Sequence, residues 1–440
     1  MSDLSAYEYH REDAGVVYLG NCLDVMAAME PDSVDTIITD PPYGLEFMGV
    51  AWDTMRHDGK PRVRNDMGDF GSREHARQSN EKARIQRNKS LGFYEFSLKW
   101  TKAALRVAKP GAILLAFGGT RTHHRLWCAI EDAGWEIRDC MMWLYGQGFP
   151  KAADISKMID KAAGAERESI GLSSDSANRI AGGMFCSEDE GNRIITAPAT
   201  DAAKLWDGWK SALKPAFEPI CLAMKPLDGT FAQNALKHGV AGLNIDGSRI
   251  DLRGDKKTAG GCRGNISGRV GYFKIDKARY DIKEDNSKGR YPSNLLLDEE
   301  SARMLDEQSG IENDRPAKAA ISGIGSGCGK PRALFGAISI AKTGYNTIGG
   351  ASRFFYTAKA SRAERGENNN HPTVKPLKLI TYLCTLTATP TGGIILDPFA
   401  GSGTTGVAAK LAGRRFILIE KEPAYCEIAK HRLAQGVFAL

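Results

Sequence analysis

Apolar runs of strand length alternate along this chain with stretches of helical periodicity, and that alternation limits the fold more than any other feature. A strand over 16–20 and a short helix over 22–29 lead to the apolar run 33–40, which stops at Asp40-Pro41-Pro42-Tyr43-Gly44. Proline offers no N–H to a ladder and holds its predecessor extended, so the strand must end there. Residues 94–107 place Phe96, Trp100, Ala103, Ala104 and Val107 at helical spacing. Lys109-Pro110-Gly111 then breaks the helix and launches a buried strand over 112–117. A helix over 125–133, a strand within 135–144 and a strand-like piece at 218–224 follow. The pattern resumes with a helix over 377–387, a strand over 393–397, a helix over 404–411, a strand over 415–420 and a last helix over 423–434. The predicted class is α/β, with a doubly wound and mostly parallel sheet.

Between these core segments the pattern loosens. Residues 152–206 read as an insertion with short helices, and 227–350 as a separate loop-rich module of Gly, Asn, Ser, Lys and Arg. The organisation predicted is therefore a half-domain over 1–226, carrying a basic loop at 56–90, then the module 227–350, then a second half-domain over 351–440. Net charge is +6, and its distribution says more than its size. Residues 56–89 carry ten Lys/Arg against five Asp/Glu, and 253–290 carry eleven against five. Basic loops of this kind neutralise phosphates and release counterions on meeting nucleic acid. The nine cysteines include no Cys-x-x-Cys pair, which argues against a structural zinc site or a disulfide framework, and no metal is expected. No apolar run approaches a bilayer span and no secretory signal is readable, so a cytoplasmic, membrane-free protein is expected.

Two segments carry chemistry. In Ile394-Ile395-Leu396-Asp397-Pro398-Phe399-Ala400-Gly401-Ser402-Gly403-Thr404, an apolar strand enters a glycine turn and then a helix. Gly401 and Gly403 allow close backbone approach to a ligand, and the helix start offers N–H groups to an anion. The next strand ends in Glu420, an acid placed to accept hydrogen bonds from ribose hydroxyls. No Gly-Lys-Ser/Thr closes the loop, so it is not a Walker loop. Asp40-Pro41-Pro42-Tyr43 stands at the carboxyl end of a strand, where open α/β sheets hold ligands. A carboxylate and a rigid backbone carbonyl could accept both hydrogens of an exocyclic amino group and turn its delocalised lone pair outward. Tyr43 offers a flat face to an extruded base.

Together these motifs resemble the S-adenosylmethionine-dependent DNA amino-methyltransferases, the N6-adenine/N4-cytosine family. The catalytic motif precedes the cofactor motif, which is the circularly permuted order called the β group. His371-Pro372-Thr373-Val374-Lys375-Pro376 is similar to a further motif of that family. The resemblance implies a Rossmann-like methyltransferase fold, with 227–350 as target-recognition region and S-adenosylmethionine as cofactor. It implies catalysis by Asp40, Pro41, Pro42 and Tyr43. It also implies that Asp397, Phe399, Gly401, Gly403 and Thr404 surround the methionine moiety, that Glu420 holds the ribose, and that Thr373 and Lys375 lie near the cofactor carboxylate. Where the family commonly has Gly-Asp, this chain has Gly20-Asn21, leaving Asn21 to meet the adenine region. Double-stranded DNA is the implied partner. A homodimer and a cognate restriction endonuclease are compatible with the resemblance, and the sequence names neither.

Competing readings differ in what they require. Carbon-5 cytosine methylation needs a thiolate, usually on Pro-Cys, and no cysteine here follows a proline. The related RNA and protein-amide methylases carry Asn-Pro-Pro-Tyr and keep the cofactor motif upstream, opposite to the order here. A DNA-binding regulator with lost activity would not need to keep Asp40 and the glycine loop. An Asp-led tetrapeptide occurs with both target bases and a Ser-led one leans towards cytosine N4, so adenine N6 is the preferred target.

Overall fold

Strand-forming runs that are apolar at every position must be covered on both faces, and this is how the chain folds. The computed structural model describes residues 3–44, 73–146, 148, 152–172, 194–252, 269–270, 273–274, 289–310, 350–358 and 374–435, with side chains of the 73–107 helix described from residue 89. Ten strands form the main sheet: β1 (Glu8–Glu12), β2 (Gly15–Leu19), β3 (Val34–Thr39), β4 (Ala108–Phe117), β5 (Glu136–Leu144), β6 (Phe217–Met224), β7 (Leu295–Asp298), β8 (Tyr356–Ala358), β9 (Ile394–Asp397) and β10 (Arg415–Glu420). Their spatial order is β1-β2-β10-β9-β3-β4-β6-β5-β7-β8. All neighbours are parallel except β1 against β2 and β6 against both β4 and β5.

Helices cover both faces. They are α1 (Cys22–Ala28), α2 (Arg73–Val107), α3 (His123–Asp132), α4 (Phe231–His238), α5 (Glu299–Ser309), α6 (Leu377–Leu386), α7 (Thr404–Leu411) and α8 (Pro423–Ala434). Alternation along the strands splits the core in two. Ile38, Ile113, Leu115 and Phe117 pack with Leu379, Leu383 and Ala408 from α6 and α7. Ile37, Leu114 and Ala116 pack with Met26, Trp100 and Leu126 from α1, α2 and α3. Trp100 is fully buried, and truncating such a side chain costs about 3–5 kcal/mol.

The chain leaves β9 towards β10 on one side and leaves β3 towards β4 on the other. The point where that direction reverses lies between β9 and β3, and doubly wound sheets bind ligands in the crevice outside it. At the opposite, amino end the two strands are tied by Asp35, which accepts from the Lys109 ammonium at 2.8 Å and from the Ile394 amide at 2.7 Å.

Two expectations change. Helix α2 begins at Arg73, so much of the predicted basic loop is helical. Residues 73–91 contain neither glycine nor proline and are rich in Ala, Arg, Lys, Glu and Gln, which favour a helix. The rest of that loop lies outside the described residues, as does most of 253–288 and all of 311–349. Within the segment read as a separate module, Leu295-Leu296-Leu297 enters the main sheet, in parallel pairing with β5 and β8. Leu296 and Leu297 are buried there, a run too short to stand out in a polar sequence.

Residues 147–216 form a second compact unit. Its helix Ile155–Ala163 is capped by Asp154, and a hairpin pairs Ser169–Leu172 with Ile194–Thr196. Buried Asp160 organises it, accepting from Arg167 at 2.6 Å, from the amides of Ala199 and Thr200, and from the Thr200 hydroxyl. Burial alone would raise its carboxyl, but these donors outweigh it and hold the pKa down at about 2.

Candidate active site

Along the carboxyl edge of the sheet the strand ends present a row of acids: Glu420 ending β10, Asp397 ending β9 and Asp40 just after β3. Asp397 is 3% exposed and its carboxylate is fully engaged by the chain. One oxygen accepts from the Thr39 hydroxyl at 2.8 Å and the Phe399 amide at 3.0 Å, and the other from the Thr405 hydroxyl at 2.6 Å. The Thr39 bond joins the residue before Asp40 directly to the glycine hairpin. Burial pushes the Asp397 carboxyl up to about 6, against the pull of those three donors.

The hairpin is built to be stiff. Gly401 and Gly403 have φ of 50° and 79°, the left-handed region glycine enters without strain. A Cβ at 403 would lie 2.7 Å from the Ala429 Cβ, so this glycine is needed chiefly for close packing against α8. From the same helix, the buried Arg432 guanidinium donates to the Ser402 carbonyl, the Ser402 hydroxyl and the Thr404 hydroxyl at 2.8–2.9 Å. Phe399 sits against the Trp100 and Phe96 rings of α2, with centroids 5.5 and 5.8 Å away. Glu420 accepts the Gly401 amide on one oxygen and the Glu422 amide on the other, both at 2.8 Å. Burial raises its carboxyl as well.

Around Asp40 the arrangement is different. Its Oδ1 accepts from the Tyr43 hydroxyl at 2.7 Å and its Oδ2 from the Lys375 ammonium at 2.6 Å. Lys375 also lies 3.1 Å from Glu218 Oε2 and 3.3 Å from the Tyr43 oxygen. Tyr43 in turn is 3.3 Å from Glu218 Oε2. The ammonium stands 5.5 Å above the Tyr43 ring and 5.1 Å from that of Phe117. Burial works against the Lys375 charge, yet Asp40 and Glu218 more than compensate and keep it protonated. Desolvation, then the charges of Asp40 and Glu218, raise the Tyr43 phenol far above its ordinary value. The site therefore holds one ammonium and one neutral phenol beside two acidic side chains.

A family model described as DNA methylase matches residues 34–431, which include both motifs and the strands that carry them. This chain belongs to that DNA methylase family. The type II methyltransferase M.HindIII of Haemophilus influenzae is 22% identical over 428 residues, covering 95% of this chain and 94% of its own. M2.DpnII of Streptococcus pneumoniae is 56% identical over 63 residues, 14% of this chain and 23% of that one. Among solved structures, the cytosine-N4-specific PvuII DNA methyltransferase aligns with a TM-score of 0.44 at 12% identity, covering 97% of this chain and 89% of that one. As a member of the N6/N4 amino-methylating family, the chain uses S-adenosylmethionine as methyl donor and has the Rossmann-like methyltransferase fold.

The residues of this DNA methylase fit such a cofactor. Each Glu420 oxygen spends one acceptor position on an amide and keeps another for a ribose hydroxyl. Of the residues expected in the site, Asp40, Pro41, Pro42 and Tyr43 lie one strand away from Asp397, Phe399, Gly401, Gly403 and Thr404. Asn21 follows Gly20, whose amide donates to the Glu420 carbonyl, but its Oδ1 accepts the Leu23 amide and caps α1. Lys375, expected near the cofactor carboxylate, pairs with Asp40 in the fold. Thr373 lies outside the described residues. Glu218 was missed altogether. It is the second residue of β6, and because β6 runs against its neighbours, its amino end meets their carboxyl ends. Among the described residues no helix is long and apolar enough to cross a membrane.

Proposed function

We propose that this DNA methylase transfers a methyl group to N6 of adenine in duplex DNA. The observation that carries the reading is the Thr39–Asp397 hydrogen bond, which sets an Asp-led tetrapeptide beside the glycine hairpin at the reversal point of the sheet. The amino nitrogen of adenine is a poor nucleophile because its lone pair is shared with the ring. With its two hydrogens held by the Asp40 carboxylate and the Pro41 carbonyl, it pyramidalises and its lone pair points out of the base plane. Pro42 fixes the direction of that carbonyl, and Tyr43 offers its face to the everted base. S-adenosylmethionine, when bound, supplies a methyl group on a sulfonium leaving group. The nitrogen sheds its proton after the new bond forms, so no strong base is required.

Glu420 would hold the ribose, and the hairpin from Asp397 to Thr404 the methionine end. An Asp rather than a Ser at the head of the tetrapeptide supports adenine over cytosine. The test is to methylate duplex DNA with labelled cofactor, digest it to nucleosides and identify the modified one by mass. N6-methyl-2′-deoxyadenosine is expected from wild type and none from D40A. N4-methylcytosine would overturn the choice of base, and label in RNA or protein alone would overturn the reading.

A further inference from the structure

Asp40 must offer an oxygen to the target amino group, yet each of its oxygens already accepts one strong hydrogen bond. Oδ1 holds the Tyr43 hydroxyl and Oδ2 the Lys375 ammonium, each under 2.8 Å. A carboxylate shared between a phenol and a cation is a weaker acceptor for a third donor. One residue touches both occupants. Glu218 Oε2 lies 3.1 Å from the Lys375 nitrogen and 3.3 Å from the Tyr43 oxygen. Its side chain, like that of Asp40, is about one-fifth to one-quarter exposed, while Lys375 is 11% exposed and confined between the two acids. The phenol has a single proton, which the shorter contact assigns to Asp40.

We propose that Glu218 is a positioning residue for methyl transfer: as the amino group arrives, Lys375 and Tyr43 shift their hydrogen bonds from Asp40 to Glu218, and Asp40 is released to accept the base. The proposal rests on the reading of Asp40 given above. The motion it requires is small, because both new partners are already at the edge of hydrogen-bonding distance. Charge is conserved throughout, since the ammonium changes carboxylates and no proton leaves the cluster. Before the base arrives, the same contacts keep Asp40 from being a bare buried anion. Glu218 lies on β6, outside both sequence motifs, and acts only through side chains that themselves reach the reacting centre.

The test compares single-turnover methylation of duplex DNA, and cofactor affinity by calorimetry, for wild type, E218Q, E218D, K375M and E218Q/K375M. E218Q should slow transfer about 10- to 100-fold, the scale of a hydrogen bond to a charged group, while cofactor Kd stays within about threefold. E218D should recover part of the rate, since it restores the charge. In the K375M background E218Q should cost less than about fivefold, because one of the two donors to be moved is gone. A wild-type rate in E218Q, a parallel loss of cofactor affinity, or fully multiplicative losses in the double variant would each overturn the proposal. Where E218Q does not fold, E218D alone decides: slowed transfer with cofactor affinity kept supports the proposal, and a wild-type rate overturns it. A wild type that binds cofactor but methylates no DNA would instead bring down the reading of Asp40, and this inference with it.

Discussion

Asp397 and Asp40 close adjacent parallel strands of one sheet, and their surroundings are opposite in kind. Asp397 is shut away, with three donors from the chain itself, two of them within eight residues of it. Asp40 is partly open, and its two donors are side chains that each have a second place to go. The first carboxylate sets the position of a loop. The second has donors that Glu218 could also receive, which suits the substrate-holding role proposed for it. A saturated acid cannot do chemistry without dismantling its surroundings, and an unsaturated one cannot hold a fold.

Substitutions can break this contrast. The largest effect is expected for D40A, which should lower single-turnover transfer on the order of 10³-fold while leaving cofactor Kd within a few-fold, as read by calorimetry. If cofactor affinity fell as steeply as the rate, the two acids would not be separate in function. D397A should do what D40A does not. It orphans the Thr39 and Thr405 hydroxyls and the Phe399 amide, and urea unfolding should show a loss of about 3 kcal/mol or more.

The pH dependence sharpens the same point. The Asp397 carboxyl is raised to about 6 in the fold against an ordinary value of 3.8, so the folded state binds its proton more tightly than the unfolded chain. The stability from that proton is fully present below about pH 4 and is lost as pH rises through 6, at most about 3 kcal/mol. The stability difference between wild type and D397N should therefore change across pH 4–6 and be flat above 7. A constant difference would show that burial does not control this acid.

G403A is expected to destabilise by about 1–3 kcal/mol, through its left-handed backbone and the new contact with Ala429. A429G should return part of the loss, and no return would locate the glycine's importance at the ligand instead. The smallest effect belongs to N21A. Loss of the α1 cap should cost about 1 kcal/mol with cofactor affinity unchanged, whereas a tenfold weaker Kd would restore Asn21 to the adenine pocket.

Much of this was legible in the sequence because it is local. Prolines 41 and 42 ended β3 where the structure ends it, and the segments 404–411, 415–420 and 423–434 coincide with α7, β10 and α8. The partners of Lys375 were not legible, because both are far away in the sequence. The resemblance of 371–376 to a family motif implied a place near the cofactor, and nothing local says that the ammonium meets Asp40 and Glu218. Glu218 was invisible for a related reason, since nothing in 217–224 says that the strand runs against its neighbours. The helical part of the basic segment was obscured by its charge, which masked an uninterrupted series of helix formers.

The interleaving of β2, β10, β9 and β3 has a consequence for how the protein comes into being. Strands from the first forty residues leave a two-strand gap that is filled by segments more than 350 residues further along, 394–397 and 415–420. A nascent polypeptide thus has the tetrapeptide 40–43 long before the glycine hairpin that Thr39 joins has been made. Until residues 394–420 have emerged, the sheet is open on the side of β3 that β9 will cover.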